Sequence, residues 1–203
     1  MQTKTPQRRE DVRSDEEFHM ILWLQDAVRH NLISNWEYEP KSFELFPPAV
    51  YLEEKKLKTK VKVVEKCLHR GASYTPDFKI TLTKEGKRIL LDAFKKSILV
   101  DHSGLCNDVW IDVKGVFNPN DQPRYFSVIQ KAMYSASGIW VERITPFYMS
   151  KKKPKGLFYE TFAPDKIRHM KRGGLNSCGR SCMNAEQFMD KENPHWNPRE
   201  DRP

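Results

Sequence analysis

Two short stretches carry residue types suited to chemistry on phosphate. In Trp110-Ile111-Asp112-Val113-Lys114-Gly115 an aspartate and a lysine stand two apart, and in Tyr74-Thr75-Pro76-Asp77-Phe78-Lys79 so do Asp77 and Lys79. Successive side chains of a β-strand point to opposite faces, so each Asp–Lys pair projects together. Val109, Ile111 and Val113, and likewise Phe78, Ile80 and Leu82, project the other way, into a core. Two neighbouring strands that each lift a carboxylate to one surface, with an ammonium beside one of them, make a compact site for a hard cation and a phosphate. Mg²⁺ takes one or two carboxylates and fills its shell with water and phosphate oxygens. A bound cation lowers the pKa of its water and screens the phosphodiester charge. A lysine beside the ligand stabilises charge that develops at phosphorus or holds the attacking water. The commonplace alternative for Asp112 and Lys114 alone is an exposed ion pair.

The elements that must position these residues are legible around them. Ser14-Asp15-Glu16-Glu17 is a capping box, and Phe18, Ile21, Leu22, Leu24, Val28 and Leu32 follow at helical spacing. Glu17 lies along one edge of that apolar stripe. It either caps the helix alone or faces inward and reaches the strand carboxylates. Trp36 to Leu45 reads as a strand with Pro40 as a bulge or edge marker, on which Glu37 and Glu39 share a face. Lys58, Lys60 and Lys62 alternate with Thr59, Val61 and Val63 on a half-exposed strand. Such lysines protect a sheet edge or follow phosphates. Arg88 to Lys96 suits a returning strand or a short helix. Residues 124–137 read as an amphipathic helix on which Gln130 and Tyr134 share a face, and Ile139 to Ile144 as a strand. Strand, helix, strand is a βαβ unit, so the fold class is α/β with at least part of the sheet parallel.

Pro76-Asp77 followed by Asp112-Val113-Lys114 is similar to the motif of the PD-(D/E)XK nuclease superfamily. The longer string, from Ser14-x-x-Glu17 through Trp36-Glu37-Tyr38-Glu39 and Tyr74-Thr75-Pro76-Asp77-Phe78 to Asp112-Val113-Lys114-Gly115, resembles the order in the phage endonuclease I family of Holliday-junction resolvases and in related small phage endonucleases. The resemblance spans residues 14–145. It implies a restriction-endonuclease-like α/β core with a mixed central sheet flanked by helices, dependence on Mg²⁺ or Mn²⁺, and cleavage of DNA. Carried over by position, Asp77 and Asp112 bind metal, Lys114 assists catalysis, and Glu17 supports or joins the metal site. Glu37 matches a further acidic position. Gln130-x-x-x-Tyr134 resembles a motif of RecB-like nucleases on the helix after the catalytic strand. The separation of Asp77 and Asp112 is longer than that family pattern. Residues 84–108 are then an insertion, or Asp92 in Leu90-Leu91-Asp92-Ala93-Phe94-Lys95 is the true second carboxylate.

Composition bounds the rest. The chain has 203 residues and a formal charge of +8. Residues 1–50 carry six Lys/Arg against nine Asp/Glu, whereas 51–110 carry thirteen against eight and 151–203 twelve against seven. The basic balance therefore sits after the first helix, which favours a polyanion partner. Lys79 and Lys151, Lys152 and Lys153 join Lys58, Lys60 and Lys62 as candidate DNA contacts. No run of about 18 apolar residues could span a membrane. MQTKTPQRREDVR offers no apolar signal region, so a reduced, cytoplasmic chain (host cytoplasm for a viral protein) is expected. The organisation expected is a disordered 1–13, a nuclease domain over 14–150, and a basic, loosely ordered extension over 151–203. His169, Cys178, Cys182 and His195 in that extension are a lesser candidate zinc set. A homodimer would let two sites cut two strands. The alternative function is a DNA-binding or packaging accessory that keeps the scaffold and cuts nothing.

Overall fold

The computed structural model describes residues 6, 8–56, 59–100, 107–115, 123–149, 154–168 and 182–192. Helix α1 (Asp15–Arg29) is followed by β1 (Ile33–Tyr38), β2 (Phe43–Phe46), β3 (Ala49–Lys56), β4 (Val61–His69), β5 (Ala72–Tyr74) and β6 (Phe78–Leu82). Then come the short helices α2 (Lys84–Ile89) and α3 (Lys95–Val100), strand β7 (Asp108–Val113), helix α4 (Pro123–Ser137) and strand β8 (Val141–Ile144). The chain closes with β9 (Tyr148–Met149), β10 (Pro154–Lys155), α5 (Leu157–Glu160), α6 (Asp165–Arg168) and α7 (Ala185–Glu192).

The central sheet has the order β1-β6-β7-β8. β6 pairs antiparallel with β1 and with β7, and β7 pairs parallel with β8 across the α4 crossover. The sheet is therefore mixed and the protein is α/β. Alternation in β6 and β7 sorts the two faces. Phe78, Ile80, Leu82, Val109, Ile111 and Val113 are all buried, in a core shared with α1. The opposite face carries Lys79, Trp110 and Asp112, and α4 covers it with a smaller cluster of Phe126, Met133 and Val141 against Phe43, Leu45, Tyr74 and Trp110.

Helix α1 begins where its capping box places it. The Ser14 side chain accepts the Glu17 amide, and the Glu17 carboxylate reaches back to the Arg13 amide and the Ser14 hydroxyl. Its apolar surface is wider than a one-sided stripe. Met20, Ile21, Leu22, Trp23, Leu24 and Ala27 are all buried, while Val28 is partly exposed. Residues after 156 supply the second covering layer. Leu157, Phe158, Phe162, Ala163, Ile167, Cys182, Phe188 and Met189 are buried in the same core. The Trp23 indole stacks on Phe162 with ring centres 5.4 Å apart and donates from Nε1 to Thr161 Oγ1 at 3.1 Å. The expectation of a loosely ordered 151–203 extension is thereby corrected for 157–168 and 182–192, which belong to the main core. Cys182, one of the four candidate zinc ligands, is buried among those apolar residues. His169, Cys178 and His195 lie outside the described residues, as do Lys58, Lys151, Lys152 and Lys153.

Three further expectations change. The strand that starts at Trp36 does not run through Pro40: β1 ends at Tyr38, Glu39 takes a positive φ of 44°, and β2 leaves the main sheet to pair with β5. Leu90 to Phe94 is a turn between α2 and α3 rather than a returning strand, because Leu90 and Phe94 are both fully buried and anchor it to the core. Asp92 is exposed on that turn. Residues 84–100 thus carry two short helices inserted between two strands that pair directly. Its first helix requires Gly86, since a Cβ there would meet the Leu32 carbonyl oxygen at 1.8 Å. Outside the main body, β3 and β4 form a two-stranded ribbon with Lys55 opposite Lys62 and with Val50, Leu52, Val61, Val63 and Leu68 exposed. Among the described residues no helix is long and apolar enough to cross a membrane.

Candidate active site

Antiparallel pairing of β6 and β7 sets Phe78 opposite Ile111, so the next register position sets Asp77 opposite Asp112 at the end of the sheet. The strand end is fixed from both sides. The Glu39 amide donates to the Asp77 carbonyl at 2.8 Å, and the Lys114 amide donates to the Ile144 carbonyl at 2.8 Å. Two aspartates far apart in the chain become neighbours across one pair of strands.

Each carboxylate at this end has a dedicated donor. Asp77 Oδ2 accepts the Val113 amide at 2.7 Å. Asp112 Oδ1 accepts the Tyr74 hydroxyl at 2.6 Å. Glu17 accepts the Tyr38 hydroxyl at 2.7 Å in addition to its capping contacts. Glu17 is buried, and its charge acts on Asp77. Glu17 thus caps α1 and, from a buried position, adds negative charge near Asp77 without touching it.

Lys114 Nζ lies 2.6 Å from Asp112 Oδ2. That oxygen is buried and accepts no well-aligned hydrogen bond, so the ammonium is a counter-charge at a side chain with 3% of its surface exposed. The pair is not the exposed ion pair of the commonplace reading. Burial, and then the neighbouring Asp112 charge, push the Asp77 carboxyl up to about 7. Burial and the Asp112 carboxylate hold the Tyr74 phenol above its usual value, and burial and Glu17 do the same for Tyr38. Both phenols therefore remain donors at any working pH.

A cleft of about 140 Å³ opens on this end of the sheet, lined by Tyr74, Asp112, Lys114, Tyr125, Phe126, Ile129 and Arg143. Arg143 stands on β8 in register with Asp112, and its guanidinium lies 6.0 Å from the Phe126 ring centre. Lys114 Nζ lies 5.8 Å from the same centre. Two cations thus flank one aromatic ring at the cleft wall.

The other candidate residues are held elsewhere. Glu37 faces Lys79 across β1 and β6 at 4.0 Å. Lys79 pairs more closely with Asp108, at 2.9 Å, and sits over the Trp110 ring. It is therefore engaged by the sheet's own carboxylates. Gln130 Nε2 donates to the Val141 carbonyl at 2.7 Å and ties α4 to β8. Tyr134 packs edge-on against Trp140. Neither lines the cleft. Lys62 is on the β3–β4 ribbon, with Lys60 just before β4.

Among the described residues no group of three or more His, Cys, Asp or Glu is gathered as a metal site. Asp77 and Asp112 form a pair. Two carboxylates match what Mg²⁺ takes from protein when substrate oxygens and water complete its shell. The buried Asp112 Oδ2 without an aligned donor, and the pressure on Asp77 to take up a proton, are what such a cation would relieve. Sequence reading missed two contributors, Arg143 and the hydroxyl of Tyr74. Arg143 carried a signal in hindsight, as a lone cation on the strand expected to lie beside β7. No protein-family model, no curated protein and no solved structure matches the chain.

Proposed function

We propose that the chain is a divalent-cation-dependent endodeoxyribonuclease with a restriction-endonuclease-like core, a hydrolase of DNA phosphodiester bonds that uses Mg²⁺ or Mn²⁺. The observation that carries this reading is the meeting of Asp77, Asp112 and Lys114 at one strand end beside a cleft that also holds Arg143. A carboxylate pair alone would suit many cation sites. The two cleft cations narrow the choice to chemistry on an anion, and the basic balance of the chain agrees.

Asp77 and Asp112 would hold the cation, and Glu17 adds negative charge behind Asp77. The bound ion activates water and offsets the charge of the scissile phosphate. Tyr74 keeps the Asp112 carboxylate in one orientation through its hydroxyl. Lys114, with about a third of its side chain exposed, can swing from Asp112 to a phosphate oxygen, where negative charge grows as the water oxygen bonds to phosphorus and the 3′ oxygen leaves in line. Holding the cation would call for Asp77 in its ionised form, which burial and the Asp112 charge disfavour in the empty site.

The test is cleavage of supercoiled plasmid, linear duplex, single strand and a four-way junction, in Mg²⁺ and in EDTA, by the wild type and by Lys114→Ala and Asp112→Asn. Metal-dependent cutting that both substitutions abolish is the expected result. Cutting that survives both overturns the assignment of residues. Tight binding with no cutting on any substrate overturns the enzyme reading and leaves a DNA-binding protein on this scaffold.

A further inference from the structure

The cleft beside Asp112 and Lys114 is walled mainly by Tyr74, Tyr125, Phe126 and Ile129. Three of the four stand on the first two turns of α4: Tyr125 and Phe126 are adjacent, and Ile129 lies one turn on from Tyr125. Phe126 is 7% exposed and forms the floor, whereas Tyr125 is 71% exposed and stands at the rim. The cations, Lys114 after β7 and Arg143 on β8, lie beside the Phe126 floor, 5.8 and 6.0 Å from its ring centre. The cleft therefore has an anion-binding floor, where the two cations meet Asp112, and an exposed aromatic rim at Tyr125.

A continuous DNA duplex uses only the first of these. It presents phosphates and sugars outward and keeps its bases stacked, so an aromatic wall next to its backbone has nothing to bind. A base outside the stack uses both. Its phosphate meets the cations and its ring lies on the aromatic side chains, an arrangement that serves any base because every base has a π-face. Extracting a paired base costs energy, least where the base is already unpaired.

We propose that this cleft binds an unpaired nucleotide next to the scissile phosphate, with its base against the exposed Tyr125 ring and its phosphate on Arg143. The inference rests on the nuclease reading and deepens it by naming the substrate class: DNA with a single-stranded nucleotide at the cutting position, in preference to duplex or to a fully paired four-way junction.

Two measurements test it separately from the nuclease reading. The first is binding of a labelled oligothymidylate in EDTA, and of the same strand with abasic sites in place of its bases. Tyr125→Ala weakens binding of the intact strand about tenfold or more, Tyr125→Phe retains it, and neither affects the abasic strand. Equal binding of intact and abasic strands by the wild type, or equal loss on both with Tyr125→Ala, overturns the proposal. The second is the ratio of single-strand to duplex cleavage in Mg²⁺, which Tyr125→Ala lowers about tenfold and Tyr125→Phe preserves. An unchanged ratio overturns the base site while leaving the nuclease in place. Base-dependent binding through Tyr125 with no cleavage of any substrate overturns the nuclease and leaves the base site standing. Arg143→Gln weakens both strands, abasic included, because it acts on the phosphate. If it weakens neither, Arg143 has no place in the site.

Discussion

Replacing Asp77 with asparagine should stabilise the metal-free protein at neutral and higher pH. The Asp77 carboxyl has its pKa raised from the ordinary 3.8 to about 7 by burial and by Asp112. A carboxylate whose pKa is higher in the folded than in the unfolded chain makes folding less favourable as pH climbs from about 4 to 7, because the folded state binds the extra proton. At about 1.4 kcal/mol for each pH unit, that shift corresponds to at most roughly 4 kcal/mol lost between those limits. Water still reaches this half-buried side chain, so the cost at pH 8 is better put at about 1–3 kcal/mol. An asparagine side chain carries no charge, and its oxygen can still accept the Val113 amide that holds the strand end. In EDTA at pH 8, Asp77→Asn is therefore expected to melt about 3–10 °C above the wild type, and at pH 4.5 the gap should close. Mg²⁺ should raise the wild-type Tm and leave the variant's unchanged. Urea unfolding at the two pH values with and without Mg²⁺ reads all of this. A variant less stable than the wild type at pH 8, or a gap that ignores pH, would refute the claim that Asp77 is held as a strained anion.

Three other predictions use different parts of the structure. Tyr74→Phe removes the hydroxyl that donates to Asp112 Oδ1 and should lower the cleavage rate about tenfold while costing roughly 1 kcal/mol of stability, measured by single-turnover kinetics and denaturation. Phe162→Ala should cost about 3–5 kcal/mol in urea unfolding, because this fully buried ring stacks on Trp23 in the main core. Gly86→Ala should cost about 1–3 kcal/mol by forcing α2 away from Leu32, with the cleft chemistry unchanged in the folded fraction.

What the sequence revealed depended on how local the signal was. The α1 cap, the alternation of β6 and β7 and the β7–α4–β8 unit are patterns of a few residues each, and they placed Glu17 on α1 and Asp112 on β7, whereas Asp77 and Lys114, expected within strands 74–82 and 109–117, lie just before β6 and just after β7. Partners distant in the chain were not legible. Tyr74 meets Asp112 across 38 positions and Tyr38 meets Glu17 across 21, and neither pairing has a spacing rule. Gln130 and Tyr134 do share the helix expected of them, but a shared helix does not say what it faces, and here α4 turns Tyr125, Phe126 and Ile129 to the cleft instead. The segment after 156 misled for a physical reason. Helices of four residues, such as α5 and α6, have too few turns to show a period, so their buried Leu157, Phe158 and Ile167 read as scattered apolar residues in polar chain. The same applies to Leu90 and Phe94, whose spacing suited a strand until the turn buried both.

The sandwiching of α1 has a consequence for the order of events during synthesis. The helix that brings Glu17 to the strand carboxylates leaves the ribosome long before Phe158, Phe162, Phe188 and their neighbours, which cover one of its two apolar sides. Domains fold as units when their packing is complete. While residues up to Met189 are still being made, the carboxylates that would hold the cation have no fixed scaffold. A fixed carboxylate pair then arrives late in translation, only after that covering segment has emerged, and a product truncated before it is expected to lack a settled core.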